Sequence, residues 1–149
     1  MPALIESTDV IVAGIADMEN CVGISGNTFE SACASFKKKY PNTKKILTTE
    51  RISVSSSHNK LTGFLWNGKQ LAQSREYDLT HIVDRVGAGD AFMAGAIYGI
   101  LKEMKDQSVI EFATAAGAFK HSVEGDVNAA TVEEIEALVK GENIGKLLR

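Results

Sequence analysis

The chain has 149 residues, 44% of them hydrophobic and 23% charged, with a formal net charge of −3. That is one domain's worth of an ordinary soluble globular protein, long enough to bury a real core. The charge balance speaks against a nucleic-acid or anionic-membrane binder, no apolar run reaches membrane-spanning length, and no secretory leader is visible.

Met1 to Thr8 reads as the tail of a helix. Asp9 to Gly14 is a short β-branched run suited to a buried parallel strand. Asp17 to Val22 is expected to be a short helix, and Gly23 to Gly26 a loop. Asn27 and Glu30 have capping-box spacing, and Phe29, Cys33, Phe36 and Tyr40 then share one helical face until Pro41 ends it. The run Lys37 to Lys39, with Lys44 and Lys45, is read as a solvated helix end. Lys45 to Thr49 follows as a second buried strand, completing the βαβ pattern of a parallel sheet.

The middle of the chain changes character. Ile52 to Ser57 and Leu61 to Trp66 are β-type runs around a polar turn at His58-Asn59-Lys60. Asn67-Gly68 is a strong hairpin signal, and Lys69 to Ser74 is expected to pair back across it on the edge of the sheet. A strand from Tyr77 to Val83 is then expected to lead into Asp84 to Gly95, which reads D-R-V-G-A-G-D-A-F-M-A-G.

Gly87 and Gly89 supply the backbone freedom for a tight strand-to-helix turn, and Asp90 falls at or just inside the helix that follows. The first N–H groups of a helix lack intrahelical partners, and the dipole there is positive. Backbone donors at Gly87, Ala88 and Gly89 would therefore hold an anion, with Asp90 beside it as a candidate general base. A bare G-x-G-D is equally explained as a tight turn with an Asp cap.

The last third reads as helical. Ala91 to Met104 carries small residues at Ala91, Ala94, Gly95, Ala96 and Gly99, expected to pack on the sheet. Ser108 to Lys120 is a second helix with Val109, Phe112, Ala116 and Phe119 buried. His121 to Asn128 is a loop, and Thr131 with Glu134 forms a capping box for a final helix striped by Val132, Ile135, Leu138 and Val139. Cys21 and Cys33 match no disulfide or metal pattern and are read as free thiols in a reducing cytoplasm. His58, His81 and His121 lack ligand spacing, so no metal site is assigned to the protein itself.

The longer string D-x-x-G-A-G-D-x-F-x-x-G, matched at Asp84, Gly87, Ala88, Gly89, Asp90, Phe92 and Gly95, resembles the second signature of the ribokinase-like (PfkB) carbohydrate kinases. Within that family T-E-R-I-S-V-S at Thr49 to Ser55 and K-H-S-V-E-G-D-V-N from Lys120 are most similar to the 2-keto-3-deoxygluconate kinases. The resemblance implies an α/β fold, the C-terminal portion of a ribokinase-like three-layer αβα arrangement. Its sheet would be mostly parallel with an antiparallel hairpin, in a single domain over residues 1–149.

It further implies a cytoplasmic kinase using ATP and Mg2+ to phosphorylate a hydroxyl of a sugar acid such as 2-keto-3-deoxygluconate. Asp90 would take the hydroxyl proton, and Gly87, Ala88 and Gly89 would form the anion hole. Nucleotide contacts would fall at Thr48, Thr49 and Arg51, after a strand, and at Gly125 and Asn128 in the adenine-side loop, where ordinary turn chemistry explains the same residues equally. Asp84 would support either the turn or the phosphate–metal region.

Two departures stand out. The family's N-x-x-E after the first strand is here Gly14-Ile15-Ala16-Asp17, leaving Asp17 or Glu19 to act on a metal through water. The family's N-terminal half, with its lid and most sugar contacts, has no counterpart, so the chain reads as the C-terminal half of such a kinase. A homo-oligomer or a complementary N-terminal half is expected to cover the open sheet edge. A nucleotide-binding module without turnover and an inactive structural remnant are the other readings.

Overall fold

The computed structural model describes residues 2–55 and 57–141. In chain order the elements are α1 (Pro2–Ile5), β1 (Val10–Val12), α2 (Ile15–Val22), α3 (Phe29–Lys39), β2 (Lys45–Ser53), β3 (Asn59–Trp66), β4 (Leu71–Gln73), β5 (Tyr77–Leu79), α4 (Ala88–Leu101), α5 (Asp106–Lys120) and α6 (Val132–Lys140). The sheet order is β1-β2-β3-β4, with β5 also paired to β3. The chain divides into two compact units: residues through Thr49 with Phe64–Ala72, and Glu50–Gly63 with Gln73 onward.

The first unit is built around a βαβ crossover. β1 pairs in parallel with β2 in the register Val10–Lys45, Ile11–Ile46 and Val12–Leu47. Parallel neighbours need a long connection, which α2 and α3 provide. The expected α3 cap shifts by one residue: Thr28, not Asn27, is the N-cap, and Thr28 and Ser31 bond each other's backbone amides. Thr28 takes the cap because its own backbone is extended while its hydroxyl reaches the Ser31 amide.

Cys33, Phe36 and Tyr40 are buried as expected, with Phe29 packed against them, and the helix stops at Lys39 before Pro41. Burial in this core pushes the Cys33 thiol up to about 12, with Glu30 adding to the shift. The basic run is less solvated than expected. Lys37 donates to the Pro41 and Thr43 carbonyls and Lys39 to the Val22 carbonyl, each at 2.7 Å. Val22 ends α2, whose last carbonyls have no intrahelical partner, and the Pro41 and Thr43 carbonyls lie just beyond α3.

The hairpin between β3 and β4 turns at Asn67-Gly68. Gly68 has φ +94°, and the Asn67 side chain accepts from the Lys69 and Gln70 amides.

In the second unit three expectations change. Lys45–Thr49 and Ile52–Ser57 are not separate strands, because β2 runs on through Ser53; Ser56 lies outside the described residues. The turn is closed by the Val54 and Ser55 amides on the His58 carbonyl, so Asn59 and Lys60 already belong to β3. β5 pairs antiparallel to them, Asn59 opposite Leu79 and Lys60 opposite Asp78. That strand stops at Leu79 rather than Val83, since the Val83 and Asp84 amides turn instead to the His121 carbonyl.

Helices α4 and α5 pack directly on each other. A Cβ on Gly95 would stand 2.9 Å from the Ala113 Cα, and one on Gly99 3.2 Å from Val109. The small residues of α4 thus serve helix–helix contact rather than the expected sheet contact, and Ala94 is exposed. Leu61, Tyr77, Phe112, Ala116, Ile135 and Leu138 form the core of this unit, and the Thr131–Glu134 box caps α6 as expected.

Candidate active site

The turn into α4 depends on one residue. Gly87 is the N-cap with φ +78°, and a Cβ there would stand 2.0 Å from the Asp126 carbonyl oxygen. Left-handed backbone and close approach together exclude any side chain. Gly89 differs from the sequence expectation. It is the second helical residue, has no positive φ, and a Cβ on it would project into open space. Its lack of a side chain therefore clears the space over the helix start instead of shaping the turn.

The Ala88 amide is turned back to the Arg85 carbonyl at 3.4 Å, and the Ala91 amide begins the helix on Gly87. Asp90 is the third helical residue and is exposed. The positive end of the helix dipole and an exposed carboxylate thus sit together, an arrangement able to hold an anion and accept a proton beside it.

The loop that follows α5 holds this turn. Asp84 accepts the Val86 amide on Oδ1 and the Gly125 amide on Oδ2, each at 3.0 Å. The Val86 bond leads the causes that lower its pKa; partial desolvation opposes the shift, and the Gly125 bond and the Lys120 charge add to it. Both oxygens are thus engaged by backbone donors, the turn-supporting alternative for Asp84. Gly125 itself has φ +84°. Asn128 braces the same loop, donating to the Ala116 carbonyl at 3.3 Å and accepting the Ala130 amide at 3.2 Å.

Sequence reasoning assigned His121 and Lys120 no role beyond their place in the K-H-S-V-E-G-D-V-N string, yet they join these loops. The His121 carbonyl accepts the Val83 and Asp84 amides, and its Nδ1–H donates to the Gly117 carbonyl at 2.8 Å. Burial lowers the His121 pKa below its ordinary 6.5; the Gly117 bond opposes this, while Arg51, Arg85 and Lys120 add to it. A folded-state pKa below the unfolded one means that the unfolded chain takes up a proton which the folded chain resists. Stability is therefore expected to fall as the pH drops through 6.5 and below. Urea midpoints between pH 7 and pH 5 should show a shallower loss in His121→Gln; equal slopes would assign the acid sensitivity to other groups.

Lys120 is fully buried and its Nζ donates to the Val123 carbonyl at 2.8 Å. The signal was available: Val109, Phe112, Ala116 and Lys120 fall on one helical stripe, where a lysine among apolar residues demands a reason.

The remaining candidates are dispersed. Thr48 and Thr49 lie within β2 in the first unit, not after a strand, because β2 continues past them. A Cβ on Gly14 would stand 3.3 Å from the Thr48 Oγ1. Arg51 is also in β2 but belongs to the second unit, where its charge acts on His121. Asp17, the third residue of α2, accepts the amide of the N-cap Gly14 at 2.8 Å and so closes the first turn of that helix. Among the described residues no cluster of three or more His, Cys, Asp or Glu side chains could cage a metal ion. No helix among the described residues is long and apolar enough to cross a membrane.

Residues 1–133 match the pfkB family carbohydrate kinases. A PfkB family carbohydrate kinase from Listeria grayi superposes with a TM-score of 0.87 at 36% identity, covering 92% of this chain and 42% of its own. A 2-dehydro-3-deoxygluconokinase from Thermotoga maritima gives the same score and identity over 93% of this chain and 44% of its own. A provisionally named ribokinase II from E. coli, solved with ATP and Mg2+, shares the fold at 19% identity and a TM-score of 0.71, over 94% of this chain and 42% of its own. The chain thus spans less than half the length of each of these solved proteins.

Proposed function

The chain belongs to the pfkB family of carbohydrate kinases, and from that premise we propose that it forms the nucleotide and proton-acceptor part of an ATP-dependent sugar-acid kinase. Its fold is the ribokinase-like αβ fold. The observation that carries the proposal is the Gly87 turn, closed against Asp126 and tied through Asp84 to Gly125, with Asp90 exposed at the start of α4.

In this reading the amides of Gly87 and Gly89, with that of Ala88 exchanging its long 3.4 Å bond to Arg85 for the ligand, stabilise charge on the transferred phosphoryl group, and Asp90 accepts the proton of the attacking hydroxyl. Mg2+ bound to ATP supplies further charge neutralisation on the phosphates. Arg51, Gly125 and Asn128, all of the second unit, contact the nucleotide, and Asp84 holds the loops in place. The acceptor is 2-keto-3-deoxygluconate or a related sugar acid, in line with the 36% identity to the Thermotoga maritima enzyme. The site of action is the cytoplasm.

The sugar contacts come from surfaces beyond these residues. Met93, Ile97 and Leu101 recur every fourth residue on α4 and are exposed, which on a helix makes one apolar stripe. Such a stripe favours burial against another surface, either a second copy or the part of the fold that the longer relatives carry. The test combines calorimetric titration of Mg·ATP with light scattering. Saturable binding and a mass above the 16.0 kDa chain are expected. A monomer across micromolar concentrations would remove the partner, and absent binding in an associated form would remove the nucleotide role.

A further inference from the structure

We propose that Lys120 is a positioning residue of this site: its ammonium, held inside the protein by the Val123 carbonyl, fixes the loop that presses on the Gly87 turn. The inference rests on the nucleotide reading above and adds a residue that neither the sequence motif nor that reading assigns. Lys120 ends α5 with no exposed surface. A leucine or methionine would continue the apolar stripe there, so packing alone gives no reason for an ammonium. Burying one is unfavourable unless it is paired and hydrogen-bonded.

The pairing is local and directional. Nζ donates to the Val123 carbonyl at 2.8 Å, while the Val123 amide bonds the Lys120 carbonyl at 3.0 Å. The same charge acts on Asp84, favouring its ionised form. Asp84 in turn holds the Val86 amide on one side and the Gly125 amide on the other. The next residue, Asp126, places its carbonyl against Gly87 with no room for a Cβ. The cation therefore braces the loop from Val123 to Asp126 directly, and that loop meets the Gly87 turn through the Gly125 amide on Asp84 and the Asp126 carbonyl against Gly87. Donors for a developing charge act best when their geometry is set before the ligand arrives, and Lys120 sets it without touching the reacting atoms.

Lys120→Met keeps the length and apolar stem while removing the charge and its donors. In the chain as it stands, the Asp84 carboxyl is expected by NMR titration to move up toward its ordinary 3.8, and the Gly125 amide to exchange faster with solvent. Mg·ATP affinity should fall about tenfold, the scale on which supporting residues act. A folded Lys120→Met with unmoved Asp84 titration and unmoved Gly87 and Gly125 amides would overturn the proposal. Should that variant not fold, the wild-type chain decides: a slowly exchanging Lys120 ammonium resonance near neutral pH is expected, and rapid exchange with water overturns it. Absent Mg·ATP binding by the wild type would refute the nucleotide reading instead, with the NMR results still deciding the role of Lys120.

Discussion

Asp90→Asn, placed in a protein carrying the full length of the fold, is expected to lower turnover by roughly two orders of magnitude or more, the scale of general-base catalysis. Mg·ATP affinity should be retained. The substitution is informative because its structural cost is small. Gly87, not Asp90, is the N-cap of α4, so Asp90 supports the helix only through its charge at the third position. Loss of a carboxylate there costs about 0.3–1 kcal/mol through the helix dipole. An asparagine can still hydrogen-bond, but it cannot take the hydroxyl proton as a carboxylate does. Steady-state kinetics alongside thermal melts separate the cases. Turnover at the wild-type level would remove Asp90 as the base, and failure to fold would assign it a structural role.

Gly87→Ala should have the largest effect on the fold itself. At φ +78° an alanine costs about 1–2 kcal/mol in left-handed backbone strain. Its Cβ would also stand 2.0 Å from the Asp126 carbonyl oxygen, and overpacking of that kind adds about 1–3 kcal/mol. The sum is a loss of about 2–5 kcal/mol in denaturant unfolding, accompanied by loss of the anion hole. Gly89→Ala is the control. Gly89 is already helical with open space above it, so alanine should stabilise the helix by up to about 1 kcal/mol. Its methyl group would nevertheless occupy the space assigned to phosphate, and Mg·ATP affinity should drop. Unchanged affinity in Gly89→Ala would mean that no phosphate passes over that residue.

The contrast between these two glycines shows where the sequence is informative and where it stops. Both are glycines in one motif, and sequence reasoning gave both the same role in shaping the turn. Only the Asp126 carbonyl, 39 residues beyond Gly87, separates a glycine required by the fold from one that leaves space. Lys120 teaches the same lesson. Its place on the buried stripe was legible from the spacing, but that its ammonium holds the Val123 carbonyl of the loop meeting Gly87 was not.

What the sequence by itself determined were features whose causes lie within a few residues. The Thr131–Glu134 box, the Asn67-Gly68 hairpin, the stop of α3 before Pro41 and the placement of Asp90 at the start of α4 all came through. Caps, positive φ and helical periodicity depend on neighbouring backbone, so they are written locally. The D-x-x-G-A-G-D-x-F-x-x-G string identified the family for the same reason, since one short turn carries most of its constraints. Tertiary structure alone decided how far β2 extends, because a strand ends where its partner's hydrogen bonds end. It also decided that β5 stops at Leu79, where the next amides find the His121 carbonyl. It turned the small face of α4 toward α5, a choice made by which surface lies opposite and not by the composition of the helix.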